Sequence, residues 1–252
     1  MSTNLRKIFF HASSITVVVL AFVAGGNCFA QPVKLSLTGG GAPPIIGDPG
    51  HPGFIDELAR AMFKRIGVEV TVTRVPSERS LINVNAGLDD GDLFRIAGME
   101  RKYPNLVLVP EKMLDNDFVV FTKRNDIEIR NWDDLKPYGV AFAIGWKPYE
   151  LNVKGTRDLT KTGSIDLLLP LLENDRADVV LMDRWQGGWI AKQQQFNGRV
   201  LEPPLLRIAE FMYLNKKHAA LAPKAAKALA DMKADGSYQK LYDLYLKPFV
   251  IP

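Results

Sequence analysis

One arginine of this chain stands where a charge is costly. Arg95 lies inside the apolar run Leu93-Phe94-Arg95-Ile96-Ala97, and a permanently charged guanidinium there needs a carboxylate partner or a water-filled opening. Asp92 and Glu100 are the nearby partners, and an anionic ligand is the alternative. Arg79 follows a strand-like segment at the start of a helix, placed either to hold a carboxylate or phosphate or to stay solvated in the first turn. Gly145-Trp146-Lys147-Pro148 opens another helix, and a free helix start beside a lysine suits an anion. Asp183 ends a strand ahead of a helix beginning at Trp185, where capping is one role for its carboxylate.

Catalytic and metal chemistry find less support. The single cysteine, Cys28, and three histidines, His11, His51 and His218, supply neither a disulfide framework nor a thiolate metal site. Glu78 or Glu100 could serve as an acid, but no nucleophile, base and orienting group form a recognisable set. Gly39-Gly40-Gly41 lacks the Gly-Lys-Ser/Thr ending of a phosphate-binding loop and reads as a turn before Pro43-Pro44. No cofactor and no enzyme activity are expected.

The elements that must position these residues alternate between the two hydrophobic periods. Val33 to Thr38 and Val68 to Val75 read as strands, and Phe54, Leu58, Ala61, Met62 and Ile66 form a helical stripe stopped by Gly67. A helix from Pro76-Ser77 to Ala86 follows, then short strands at Phe94 to Ala97, Leu106 to Val109 and Asp117 to Lys123. A second set comprises a short helix at Trp132 to Leu135, a strand Gly139 to Ile144, and a helix that starts around Pro148 and fades near Gly155. Ser164 to Glu173 reads as a helix, Ala177 to Met182 as a buried strand and Trp185 to Phe196 as a helix. Leu206 to Leu214 returns as a strand before two terminal helices, Pro223 to Ala234 and Ser237 to Phe249. This order predicts an α/β fold with largely parallel sheets, whose ligands sit beyond the carboxyl ends of the strands. A chain that builds one lobe, crosses to a second and returns produces a cleft.

At 252 residues, 47% apolar and 24% charged, the chain has ordinary globular composition and enough length for two cores. Residues 1–30 carry Arg6 and Lys7, an apolar run from Ile15 to Val23, and the ending Asn27-Cys28-Phe29-Ala30, which is the pattern of a cleaved secretory signal. Cleavage after Ala30 removes two of the 32 basic residues and none of the 28 acidic ones. The basic excess then halves, from four to two, and nucleic acid is not an expected partner.

From about Leu35 to Phe249 the chain resembles the family 3 solute-binding proteins of bacterial ABC importers. The stretches carrying the likeness are Gly53-Phe54-Ile55-Asp56-Glu57-Leu58, Gly87 to Gly98, Trp132-Asp133-Asp134-Leu135 through Gly145, Asp175 to Asp183, and Asp235-Gly236-Ser237-Tyr238-Gln239-Lys240-Leu241. The resemblance implies a two-lobed periplasmic binding protein type II fold, each lobe a mixed sheet flanked by helices, closing like a hinge on a small solute. Lobe 1 is expected over residues 31–119 and 210–252, lobe 2 over 120–209, with crossings near 117–123 and 206–214. It implies a periplasmic, monomeric protein that captures an anionic or zwitterionic, amino-acid-like solute and passes it to an ABC permease. A soluble sensor partnering a membrane receptor, or a dehydratase-like enzyme on the same fold, are the alternatives.

The family grips a ligand carboxylate with a Ser or Thr and an Arg after the third strand. Here Gly98 to Tyr103 supplies Arg101 without the hydroxyl residue, which leaves open whether Arg101, Arg95 or Arg79 takes the anion. The resemblance also implies that Gly145 and Trp146 present the helix start to the ligand's acid group and that Asp183 pairs with an ammonium. Ile45, after the proline pair, is expected to line the cleft.

Overall fold

The computed structural model describes residues 33–251; the expected signal sequence and its cleavage point lie outside them. Nine strands form one sheet in the order β2-β1-β3-β9-β5-β8-β6-β7, with β4 also paired to β9. The strands are β1 Val33–Gly39, β2 Val68–Arg74, β3 Gly91–Ile96, β4 Leu106–Leu108, β5 Leu114–Thr122, β6 Gly139–Ala143, β7 Asp158–Thr162, β8 Val179–Asp183 and β9 Arg199–Asn215. The helices are α1 Phe54–Arg65, α2 Ser77–Ala86, α3 Lys147–Asn152, α4 Leu168–Glu173, α5 Arg184–Gln193, α6 Ala222–Ala234 and α7 Ser237–Tyr245.

Sequence explains most of these elements directly. In α1 the rows Phe54, Leu58, Met62 and Ile55, Ala59, Phe63 are fully buried, as side chains four apart on one face must be. Asp56 and Glu57 lie in its first turn and Lys64 and Arg65 in its last, each sign opposite to the local end of the helix dipole. Two expected helices are shorter than their apolar patterns. Ser164 caps a 3₁₀ turn, Ile165–Leu167, before α4. The last helix ends at Tyr245, and the stretch containing Pro248 continues as the 3₁₀ turn Lys247–Phe249. β7 is a strand that the apolar pattern does not announce. Four of its five residues are exposed, so its place comes from the free edge of β6, with which it pairs in parallel.

The sheet runs in two directions. β1 pairs in parallel with β2 and β3, whereas β6 pairs in parallel with β7 and β8. β9 is antiparallel to both β3 and β5, and β5 is antiparallel to β8. The two parallel sets therefore point toward each other. Ile96, at the end of β3, pairs with Glu210, which also pairs with Leu114; Asp183, at the end of β8, pairs with Phe118. Leu114 and Phe118 are four residues apart on β5, so the two sets of carboxyl ends face one another across about 13 Å of the crossing strands.

Separate cores lie on either side of this crossing. One gathers β1, α1, α6 and α7 around Leu35, Phe54, Met62 and Leu229, with a smaller cluster under α2 containing Leu81, Val84 and Tyr213. Beyond the crossing, one cluster forms around Phe142 and Tyr149 and another around Phe121, Leu169 and Ile190. The carboxyl ends that face each other thus belong to differently cored halves.

Gly91 shows how tightly the first half is built. A Cβ there would lie 2.8 Å from the Tyr213 carbonyl oxygen and 2.9 Å from methyl groups of Leu37 and Leu214. Overpacking of this kind costs about 1–3 kcal/mol. Gly91→Ala is expected to lower the unfolding free energy by that amount, read as a lower urea midpoint with an unchanged slope, and an unaltered midpoint would refute the tight packing.

Candidate functional site between the strand ends

The structure puts Arg95 near the end of β3 with 11% of its side chain exposed, bound to the fully buried Asp92 at 2.9 Å. The guanidinium also donates to the carbonyls of Phe94 and Ser77 at 2.9 and 2.8 Å. Asp92 accepts from the Ser80 hydroxyl at 2.6 Å, and Ser80 meets the Thr38 hydroxyl at 2.8 Å. Burial raises the Asp92 pKa, with the Arg95 charge opposing it. The ion-pair role is therefore filled, yet the Nε–H of Arg95 is buried without a partner.

Asp183 is 1% exposed and caps α5, its Oδ1 accepting from the N–H groups of Trp185 and Gln186 at 3.1 and 3.0 Å. Its Oδ2 is buried and unpartnered. Burial pushes its pKa up to about 6 against those two hydrogen bonds. The hydroxyl of the fully buried Tyr149, on α3, is also unpartnered; burial, and then the Asp183 charge, hold its proton firmly.

The remaining expected residues separate. Arg79 is exposed on the first turn of α2, and Arg101 is exposed at the end of the 3₁₀ turn Met99–Arg101. The Gly145 N–H is taken by Glu150 Oε1 at 2.8 Å, and Lys147 pairs with the other oxygen of the same carboxylate. Glu150 thus occupies both the Gly145 N–H and the Lys147 ammonium. Trp146 stacks on Tyr149 at 6.0 Å and meets Phe118 edge-on at 6.0 Å, covering that part of the second half. Ile45 is 4% exposed and packs inward within the core beside α1. The glycine run serves close approach, since a Cβ on Gly40 would fall 2.6 Å from the Ser77 backbone nitrogen.

Two groups that sequence reading passed over complete the picture. Leu114, Asn116 and Phe118 share one face of β5 by strand alternation, and their partners Glu210, Ile208, Leu206 and Asp183 lie on the same face. Asn116 Oδ1 is buried without a partner. Glu210 is 8% exposed; burial lifts its pKa to about 7, the Arg95 charge opposing and the Asp92 charge adding to the rise, with no hydrogen bond to help it. The signal for Glu210 in the sequence was a carboxylate inside the apolar stretch from Ile208 to Leu214 of β9.

Five buried side-chain polar atoms lack partners among the described residues, and four belong to this region: Arg95 Nε, Asn116 Oδ1, Tyr149 Oη and Asp183 Oδ2. The fifth, Asp56 Oδ1, lies in the first turn of α1. Native proteins pair the large majority of buried side-chain polar atoms, so the exceptions on these strands and their neighbours single out the crossing as the candidate site.

Comparison with known proteins places the fold. The model of the bacterial extracellular solute-binding proteins, family 3, matches residues 42–248; the chain belongs to this family. The histidine-binding periplasmic protein of Escherichia coli is 24% identical over 210 residues, covering 77% of this chain and 78% of that protein. Among solved structures, the L-cystine solute receptor of Neisseria gonorrhoeae in its unliganded open conformation superposes with a TM-score of 0.70 at 21% identity, over 88% of this chain and 96% of that one. A histidine kinase sensor domain similar to periplasmic binding proteins gives 0.65 at 18% identity, over 85% and 97%. The fold is the two-lobed α/β arrangement of these proteins, and the crossing strands join its lobes.

The raised pKa of Asp183 sets a pH dependence. Between about pH 4 and 6 the folded protein keeps a proton that the unfolded chain has released, so this group's contribution to stability falls as pH rises through that window. The shift to about 6 corresponds to about 3 kcal/mol at neutral pH. Asp183→Asn keeps a capping oxygen, and melting curves should show it gaining stability over wild type from pH 4 to 7. Parallel curves would rule out a buried, high-pKa Asp183.

Proposed function

We propose that this protein is a periplasmic receptor that closes two lobes on a small zwitterionic, amino-acid-like solute and hands it to an ABC permease, without chemical change to the solute. In this reading lobe 1 comprises residues 31–119 and 210–252 and lobe 2 residues 120–209. The observation that carries it is the unsatisfied polar set at the crossing. Arg95 Nε offers a donor suited to a carboxylate, while Asn116 Oδ1, Asp183 Oδ2 and the Glu210 carboxylate offer acceptors suited to an ammonium. A purely anionic solute would satisfy the first and leave the others unmet, at about 1–3 kcal/mol for each group kept dry and unpaired.

The family supports capture of a small solute, and the histidine-binding relative supports an amino-acid-like one. The likeness to a kinase sensor domain supports a second destination for the closed form, a membrane receptor. Arg79, Arg101, Gly145 and Trp146 follow the carboxyl ends of β2, β3 and β6 in the chain, and their part in this reading is to meet the solute when the lobes come together. Ile45 supports the loop from beneath.

A thermal-shift screen of the twenty amino acids, dicarboxylates and organophosphates at pH 7.5 tests the reading, with stabilisation expected from one or more amino acids. Arg95→Ala alone strands the buried Asp92 charge, so it is made together with Asp92→Asn. That double variant and, separately, Glu210→Gln should each weaken binding 10- to 100-fold, the value of one charge-assisted hydrogen bond. Undiminished affinity in both would reject the crossing as the binding place.

A further inference from the structure

The face of β5 opposite the unsatisfied groups carries Asp115, Asp117 and Val119. On this side a cavity of about 500 Å³ lies among Asp115, Asp117, Arg184, Trp185, Tyr242 and Val250. Asp117 is gripped by both oxygens, at 2.6 and 2.8 Å from Arg207 and 3.1 Å from Arg184. The ends of two helices meet here: Trp185 opens α5 and packs edge-on against Tyr242 of α7 at 5.7 Å.

The chain then does something unusual on leaving α7. Leu246 is fully buried in the core beside α1, yet Ile251, five residues later, packs on the core around Phe121 and Ile190 in the other half. Between them Phe249 lies against α5. A Cβ on Gly188 would collide with the Phe249 carbonyl oxygen, and one on Gly187 would fall 2.5 Å from the Phe121 ring. These two glycines let the helix seat on the strand and the tail at once. The Phe249 ring meets Trp189 at 4.8 Å and carries Lys192 Nζ 5.1 Å above it. Trp189 in turn meets His51 edge-on at 5.3 Å, and His51 belongs to the loop before α1, tied to Asp48 at 2.9 Å. One row, from His51 through Trp189 to Phe249, therefore links the lobes without passing through β5 or β9.

We infer that residues 246–251, with Trp189 and His51, form a clasp across the back of the crossing strands that holds the lobes apart and so sets solute affinity. The inference takes from the proposed function only the closing motion. When two lobes swing together over one face of a two-stranded hinge, groups bridging the opposite face are drawn apart. Contacts that exist only before closure are lost on binding, and their loss is subtracted from the affinity. Trp189, Phe249 and His51 are positioning residues in this scheme, since none of them is among the unsatisfied polar groups.

Small-angle scattering on the whole protein without solute reads the lobe angle directly. Trp189→Ala and Phe249→Ala are each expected to make the apo protein more compact than wild type while keeping a cooperative melt, a direction that mere loosening of packing would not give. Calorimetry with L-histidine, L-arginine, L-glutamine and L-glutamate should show the variants binding any of the four that wild type binds about 3- to 10-fold more tightly. An unchanged or larger radius of gyration, or weaker binding, in a variant with a native circular dichroism spectrum overturns the clasp. His51→Ala changes a half-exposed loop side chain and carries the same test if Trp189→Ala fails to fold. If none of the four amino acids binds wild type, the proposed solute class suffers, and the scattering alone decides the clasp.

Discussion

The antiparallel pairing of β5 with β9 is the constraint on which the rest of this structure depends. Each strand begins in one half and ends in the other, and their ladder runs from Leu114 and Glu210 to Thr122 and Arg199. Because β3 attaches at one end of β9 and β8 at the far part of β5, the two parallel sets are forced to aim their carboxyl ends at the same short span. The polar groups left over at that span follow from this arrangement. Asn116 and Glu210 sit on this ribbon between the two cores, and neither side chain finds a hydrogen-bond partner for the oxygens it keeps from water.

Buried charge is distributed unequally around the ribbon. On one face Asp117 is held by two arginines; burial works to raise its pKa, but the Arg207 hydrogen bonds and the Arg184 charge prevail and keep it low. On the other, Asp183 and Glu210 have burial without a cation bound to them, and both pKa values rise. The first face is electrostatically complete and stiffens the hinge. The second is incomplete, and in the proposed reading a solute carrying an ammonium and a carboxylate supplies what is missing. Desolvation that would be a defect in a core is a store of binding energy in a receptor.

Proteins of this kind must be stable in the open state and still close, and the means differ on the two sides of the hinge. In the proposed reading, polar deficiency on one side draws the lobes together around a solute, and the aromatic packing of Trp189 on Phe249 on the other resists. The mid-helix pair Gly187-Gly188 is intelligible only in this context, because a helix interior normally disfavours glycine and here no larger residue fits against Phe121 and Phe249.

How far the sequence reached can be judged residue by residue. Its hydrophobic periods determined α1, β1, β2, β8 and the alternation that makes an α/β fold, because one-sided burial imposes a period of 3.6 or 2 on any chain. It also flagged Arg95 and Asp183, since a charge inside an apolar strand and a carboxylate at a strand-to-helix step are visible locally. It could not place β7, whose polar residues pair only because β6 offers an edge, and it set Ile45 at the cleft although that side chain packs inward. Asn116 and Glu210 lie more than ninety positions apart in the chain and become neighbours only through the register of β5 on β9. Tertiary structure alone decided which polar atoms end up dry and unpaired, because that depends on everything packed around them and on nothing within a few residues of each.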